Sequence, residues 1–239
     1  MTTFSAAGAT KRHRNSGETI IGTHLSPEVL QFIRANLPLA EVPLIPEIRL
    51  HKASPTSGLR RLAEIGGHGL GTPYWAYPWG GGLALARYIL DHTDLVAGRR
   101  VLDLGAGSGL VGIAAAKAGA RAVIAADTDP RAMIATHLNA AANGVDVSTL
   151  VHDMLDGAPP AVDIVLAADL FYEQRLAQRV TGFLRRCFAA QIGVLIGDPY
   201  RPFLPRSELR IVTEYSVPDF GLGSTPTPSA VFRLKGIRR

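Results

Sequence analysis

Val101-Leu102-Asp103-Leu104-Gly105-Ala106-Gly107-Ser108-Gly109 is the stretch whose reading decides the fold. Its first part, Arg100–Leu104, lacks the polar alternation of a half-exposed strand, so it reads as a strand covered on both faces. Glycines at 105, 107 and 109 then form a turn, and an alanine-rich helix follows at about 110–118. Missing side chains let the backbone approach a ligand closely. A helix N-terminus adds free N–H groups and positive potential. Asp103, Gly105, Gly107 and Gly109 are therefore candidate binding residues.

The same alternation extends outward. A second covered strand spans Ala122–Ala126, and Asp127 closes it; an acid about 20 residues past the glycine turn can hold ribose hydroxyls. Asp129 and Pro130 form an N-cap and first-position pair for a helix to about Asn143. Strands follow at Ser148–Val151, Ile164–Ala167 and Ile192–Ile196, with a helix over Gln174–Phe188. Such alternation means βαβ units and a parallel sheet. Leu209–Val217 and Ala230–Leu234, separated by a Pro/Gly/Ser/Thr-rich loop, read instead as an antiparallel hairpin. Upstream, Ser26 caps a helix with Pro27 at its first position and an apolar face of Val29, Leu30, Ile33 and Leu37. Pro38, Pro43 and Pro46 break that pattern, a short strand is expected at 48–52, and loops with a helix near Leu59–Ile65 fill 53–73. Gly82–His92 reads as a helix with Leu83, Ala86, Tyr88 and Leu90 inward. The expected fold is α/β: a Rossmann-like, seven-stranded, mostly parallel sheet with helices on both faces and an antiparallel C-terminal hairpin. Residues 1–24 are expected as a mobile arm. Residues 25–239 are expected as one domain, with 25–80 an extension on a core at 81–239.

Composition bounds the function. The chain has 239 residues, 47% of them hydrophobic, enough for a substantial core. No apolar run reaches the roughly 18 residues a membrane span requires. One cysteine, Cys187, excludes an internal disulfide and a cysteine metal cluster, and it sits in an apolar helical pattern that suggests the core. His51, His68, His92, His137 and His152 show no paired ligand spacing, so no metal is expected; His51 and His68 read as surface or loop residues. The net charge of +5 permits an acidic partner, but the basic residues are scattered and mark no nucleic-acid footprint.

A nicotinamide or flavin site competes for the glycine turn. Those sites use G-x-G-x-x-G, whereas the spacing here is G-x-G-x-G with an acid two residues ahead. A carboxylate there repels a pyrophosphate and suits a ligand bearing an ammonium group, such as the methionyl part of S-adenosylmethionine. Asp103-x-Gly105-x-Gly107-x-Gly109 resembles the first motif of seven-β-strand methyltransferases. That resemblance implies S-adenosylmethionine as cofactor, with Asp127 on the ribose and Asp153, in His152-Asp153-Met154-Leu155, on the adenine amino group. Asp153 as an ordinary solvated turn residue is the alternative.

The acceptor is read from other segments. Ala168-Asp169-Leu170-Phe171-Tyr172-Glu173 lacks the paired prolines of enzymes that methylate nucleobase or amide nitrogens, and Asp198-Pro199-Tyr200 matches that motif only superficially. Asp169-x-x-Tyr172 resembles instead a D-x-x-Y signature of protein-lysine methyltransferases; Asp169 as a helix cap and Tyr172 as packing is the alternative. Pro73-Tyr74-Trp75-Ala76-Tyr77-Pro78-Trp79-Gly80-Gly81 holds both tryptophans, and Gly197-Asp198-Pro199-x-Arg201-Pro202 follows a later strand. With Asp169–Tyr172, these segments are similar to the lysine methyltransferases of the electron transfer flavoprotein β-subunit, over roughly residues 46–234. The arm and the stretch 218–228 depart from the family pattern. The resemblance implies a protein substrate, the electron transfer flavoprotein β-subunit, with neither membrane nor nucleic acid as partner. It also implies a monomer in the cytoplasm. Asp169 would accept a hydrogen bond from the lysine amine and also border the donor, Tyr172 would shape the lysine channel, and Trp79 would pack near the donor. Another protein of ribosomal type, an RNA or a small amine stays open as acceptor, as does a non-catalytic donor-binding scaffold.

Overall fold

The computed structural model describes residues 26–65, 71–218 and 226–236. The expected arm at 1–24, His68 and most of the stretch 218–228 lie outside the described residues. Helix α1 (Pro27–Asn36) starts on Ser26, whose side chain accepts from Val29 N–H. Strands β1 (Leu39–Val42) and β2 (Ile45–His51) form a small antiparallel pair. Then come α2 (Leu59–Ile65), a 3-10 turn at Tyr74–Ala76 and α3 (Gly80–Asp91). The core continues with β3 (Arg100–Leu104), α4 (Leu110–Lys117), β4 (Ala122–Asp127), α5 (Pro130–Ala142) and β5 (Ser148–Val151). It ends with β6 (Ile164–Ala168), α6 (Gln174–Ala189), β7 (Gly193–Asp198), β8 (Leu209–Pro218) and β9 (Pro226–Leu234).

The main sheet has seven strands in the order β5-β4-β3-β6-β7-β9-β8. The first five are parallel, and the β8–β9 hairpin adds to β7 antiparallel. Alternate residues of each strand go to opposite faces. Val101, Ile164, Leu166 and Leu195 pack with α3 and α4. Leu102, Leu104, Val165, Ala167, Val194 and Ile196 pack with α6. The expected architecture is the observed one, with helices on both faces. On α6 the buried residues Ala177, Val180, Phe183, Leu184 and Cys187 form one stripe. Burial of Val180, Phe183 and Leu184 contributes about 1.5–3 kcal/mol each. Glu173 caps α6 by accepting from the Arg175 and Leu176 N–H groups.

Three local expectations need correction. Pro38, Pro43 and Pro46 do follow the end of the helical pattern, but an unexpected strand, β1, forms between the first two, because Leu44 (φ 69°) turns the chain and Val42 pairs with Ile45. The strand expected at 48–52 runs instead from Ile45 to His51, and His51, also read as a surface or loop residue, is its part-buried last residue; its Nδ1 lies 2.8 Å from Leu37 O. Helix α3 begins two residues earlier than expected and is buried nearly all round, Leu85 and Ile89 included, while Leu90 is only part-buried.

The burial of α3 rests on a backbone approach. A Cβ on Gly81 would lie 2.3 Å from Gly197 O, and one on Gly197 would lie 2.2 Å from Gly81 O. The N-terminus of α3 thus touches the C-terminal end of β7. Gly197→Ala should therefore destabilise the fold by about 2–3 kcal/mol, since backbone must move to admit the methyl group. A urea titration of the variant beside wild type checks this.

Candidate active site

In an open α/β sheet, ligands bind beyond the carboxyl ends of the strands, where the strand order reverses. Here the reversal lies between β3 and β6, and a cavity of about 680 Å³ runs along that edge. Its wall includes Asp103 near the end of β3 and the glycine turn that follows, Asp127 at the end of β4, Asp153 after β5, Asp169 and Tyr172 after β6, and Arg201 after β7. Trp79 joins from the segment before α3. The structure thus brings together every residue singled out from the sequence except Gly109, which sits behind the wall.

The turn has positive φ at all three glycines: 65° at Gly105, 55° at Gly107 and 81° at Gly109. Side chains are strained there, and a Cβ on Gly109 would also meet Thr136 Cγ2 at 2.7 Å. Helix α5 fastens the turn from behind. Thr136 Oγ1 donates to Gly107 O at 3.0 Å, and Asn139 Nδ2 donates to Ser108 O at 2.9 Å. Asn139 Oδ1 accepts from His51 N–H of β2, so one buried amide ties the turn to the outer hairpin.

Two acids stand beside the turn. Asp103 is buried, and its Oδ2 accepts from Gly112 N–H at 2.8 Å. Burial pushes its carboxyl up to about 7, against the lowering effect of Gly112 N–H. Asp127 accepts from Gly107 N–H and Asp129 N–H, one on each oxygen. Burial raises its pKa too, with those N–H groups opposing. Each Asp127 oxygen keeps a second acceptor site. Asp153 is exposed at the rim: Oδ1 accepts from Leu155 N–H, and Oδ2 pairs with Arg179 at 2.9 Å. A ligand amino group there would share the carboxylate with Arg179.

The other end of the cavity is aromatic. Tyr74 and Tyr172 rings lie 6.2 Å apart, Tyr74 and Trp79 6.3 Å, and Tyr77 and Trp79 5.8 Å. Trp79 Nε1 donates to Tyr74 O at 2.8 Å, which fixes the indole. Asp169 lies at the base of this collar. It adopts a left-handed backbone (φ 59°), and its N–H donates to Gly197 O. Its Oδ1 accepts from Gly81 N–H at 3.1 Å and Arg201 Nη2 at 3.0 Å; Oδ2 accepts from Gly82 N–H at 2.7 Å. Burial raises this carboxyl, while Arg201 and the two N–H groups favour the ionised form. Asp169 is thus a helix cap after all, though for α3 rather than for the helix that follows it.

Sequence reading did not assign Arg201, Arg131, Thr136 or Asn139. Arg131 is 2% exposed and bonds Asp129 and Gly71 O, but its Nη1 has no partner among the described residues, nor does buried Trp75 Nε1. Both side chains border the cavity. Their unpaired donors fit an acceptor-bearing ligand such as an amino acid carboxylate, Asp103 fits an ammonium group, and the spare acceptor sites of Asp127 fit ribose hydroxyls. The residues present therefore suit S-adenosylmethionine.

The strand order, the cavity at its switch point and the acid-flanked glycine turn define a class I S-adenosylmethionine-dependent methyltransferase. Comparison with known proteins narrows the class. The family model of ribosomal protein L11 methyltransferase (PrmA) matches residues 84–180. The human electron transfer flavoprotein beta subunit lysine methyltransferase is 37% identical over 204 residues, 82% of this chain and 77% of the human protein. The mouse protein of the same name is 34% identical over 83% of this chain and 80% of its own length. A ribosomal protein L11 methyltransferase from Marinobacter nauticus is 42% identical over 43% of this chain and 33% of its own length. The chain belongs to the electron transfer flavoprotein beta subunit lysine methyltransferase family.

The raised carboxyl of Asp103 gives a test. A bound cation favours ionised Asp103, so below pH 7 donor binding releases a proton, and affinity rises as pH passes through about 7. In the free protein the sign is opposite. The folded state holds the proton to higher pH than the unfolded chain does, so this group's contribution to stability is lost as pH rises from about 4 to 7. Asp103→Asn should weaken S-adenosylmethionine binding about tenfold at pH 8 and flatten its pH dependence. Calorimetry at pH 6 and 8, in buffers of different ionisation enthalpy, reads both effects.

Proposed function

We propose that this enzyme transfers methyl groups from S-adenosylmethionine to a lysine amine of the electron transfer flavoprotein β-subunit. The observation that carries this reading is the aromatic collar of Tyr74, Tyr77, Trp79 and Tyr172, which opens to solvent above Asp169. Tyr74 and Tyr172 are 58% and 52% exposed. A lysine side chain suits such a channel, because its apolar stem packs on rings while its head seeks a polar base. The names of the relatives support the particular substrate.

When bound, S-adenosylmethionine supplies a methyl group on a positively charged sulfur, open to attack by a neutral amine. Asp103, Asp127 and Asp153, with the turn Gly105–Gly109 and Trp79, would hold it. The chain's other residues must position the amine and leave it neutral. An unperturbed lysine has a pKa of about 10.4, so neutralisation at pH 7 costs about 4.6 kcal/mol. Desolvation within the collar lowers that cost. Asp169 Oδ1 already receives two donors and Oδ2 one, so one acceptor site remains for an amine N–H. Tyr172 walls the channel. Asp169 thereby orients the amine, and such positioning is worth large factors in rate.

Labelled S-adenosylmethionine incubated with the enzyme and purified electron transfer flavoprotein should place label on a β-subunit lysine. Asp169→Asn should reduce that transfer on the order of 100-fold with donor affinity little changed. Label entering only nucleic acid from a cell lysate, or normal transfer by Asp169→Asn, overturns the reading.

A further inference from the structure

Asp169 is held by a second acid that it never touches. At the end of β7, Asp198 is fully buried, and its Oδ1 accepts from Arg201 N–H at 2.7 Å. That bond closes the chain over Tyr200, which carries a left-handed φ of 63°. The Arg201 side chain then turns back along the cavity wall. Its Nε lies 4.0 Å from Asp198 Oδ2, its Nη2 bonds Asp169, and its Cζ lies 5.7 Å from the Trp79 ring centroid. Of the four non-glycine residues with positive φ among the described residues, two are Asp169 and Tyr200, at the ends of adjacent strands. Strained backbone of this kind persists where surrounding contacts over-determine it. The contacts here form one chain: Asp198, Arg201, Asp169 and the α3 N-terminus.

We propose that Arg201, held by Asp198, is a positioning residue that locks Asp169 onto the α3 N-terminus and cancels its charge beside the acceptor amine. The second half rests on the lysine reading above. An uncompensated carboxylate beside an amine favours the ammonium form, which cannot attack a methyl group. Paired with Arg201, Asp169 keeps its geometry as an acceptor and loses most of its field. Asp198 faces Arg201 from the end of β7, and the cavity wall adds Tyr172 after β6, Tyr74 and Tyr77 before α3 and, towards the glycine turn, Asp103, Asp127, Asp129, Arg131, His152, Asp153 and Arg179. Of these, Asp198 is protonated over part of the neutral range, since burial pushes it up to about 7. Arg201 is the one cation within bonding distance of Asp169 among the described residues.

Two readouts test this, one of which needs no substrate. In Arg201→Gln, amide hydrogen exchange at Gly81 and Gly82 should quicken at least about tenfold, while exchange in β3 and β4 stays as in wild type. Exchange at Gly81 and Gly82 equal to wild type overturns the lock. For methyl transfer to the β-subunit, the pH of half-maximal kcat should rise by roughly one unit in Arg201→Gln, the size expected of one newly exposed charge. Arg201→Lys, which keeps the charge, should stay near the wild-type midpoint. A kcat lowered equally at all pH values in Arg201→Gln, or a Lys variant shifted as far as the Gln variant, overturns charge cancellation. A wild-type enzyme that leaves lysine unmethylated refutes the proposed function instead, and the exchange result still decides the lock.

Discussion

The seating of α3 on the carboxyl ends of β6 and β7 is the constraint on which the site depends. Trp79 occupies the N-cap position of α3 and offers no oxygen to the first free N–H groups. Such groups need partners. They find them 88 and 87 residues along the chain, in the carboxylate of Asp169. The contact is close because Gly81 and Gly197 allow backbone to meet backbone. It also settles Asp169, since a buried carboxylate without partners would cost several kcal/mol. One interaction thus closes a helix end, satisfies a buried charge and aims that charge at the cavity. The preceding segment, with Tyr74, Tyr77 and Trp79, is carried into place by the same helix.

The glycine turn is fixed in a comparable way from its other side. Helix α5 begins where Asp129 caps it and Pro130 fills its first position, and it ends against β2. Between those ends, Thr136 and Asn139 hold the turn's carbonyls. The outer β1–β2 hairpin therefore does more than cover the sheet. Through Asn139 it reaches the loop on which the cofactor would rest.

These connections explain what could and could not be read from the chain. The bounds of β3, β5 and α2, and the start of α5, follow from signals confined to a few neighbours: an apolar run, a cap, a proline at a first helical position. The candidate acids at 103, 127, 153 and 169 were legible for a related reason. Each lies at or within two residues of the carboxyl end of a strand, and those ends converge on one edge of a parallel sheet. The partners of those acids were not legible. Nothing near Arg201 in sequence indicates that its guanidinium meets Asp169, 32 residues away. Nothing in the pattern of α5 marks Arg131 as buried, because its charge is compensated by its own N-cap, Asp129. The missed strand β1 belongs here too: it is four residues between Pro38 and Pro43, defined by its pairing with β2 rather than by any pattern of its own.

The charges along the cavity divide its labour. Asp103 and Asp127 receive only backbone N–H groups and make no ion pair among the described residues. Both carboxyls are raised by burial, the signature of charges awaiting a partner. A cationic ligand completes them and gains from doing so. Asp169 and Asp198, at the other end, share Arg201. The guanidinium is within hydrogen-bonding distance of Asp169, so it is the Asp169 field that is cancelled, and hydrogen-bond geometry dominates beside it. A methyl donor is positively charged before reaction and must be attracted; a lysine amine must reach the methyl carbon uncharged and must not be held as a cation. The unpaired acids beside β3 and β4 and the paired acids beside β6 and β7 meet these opposite demands within one cavity.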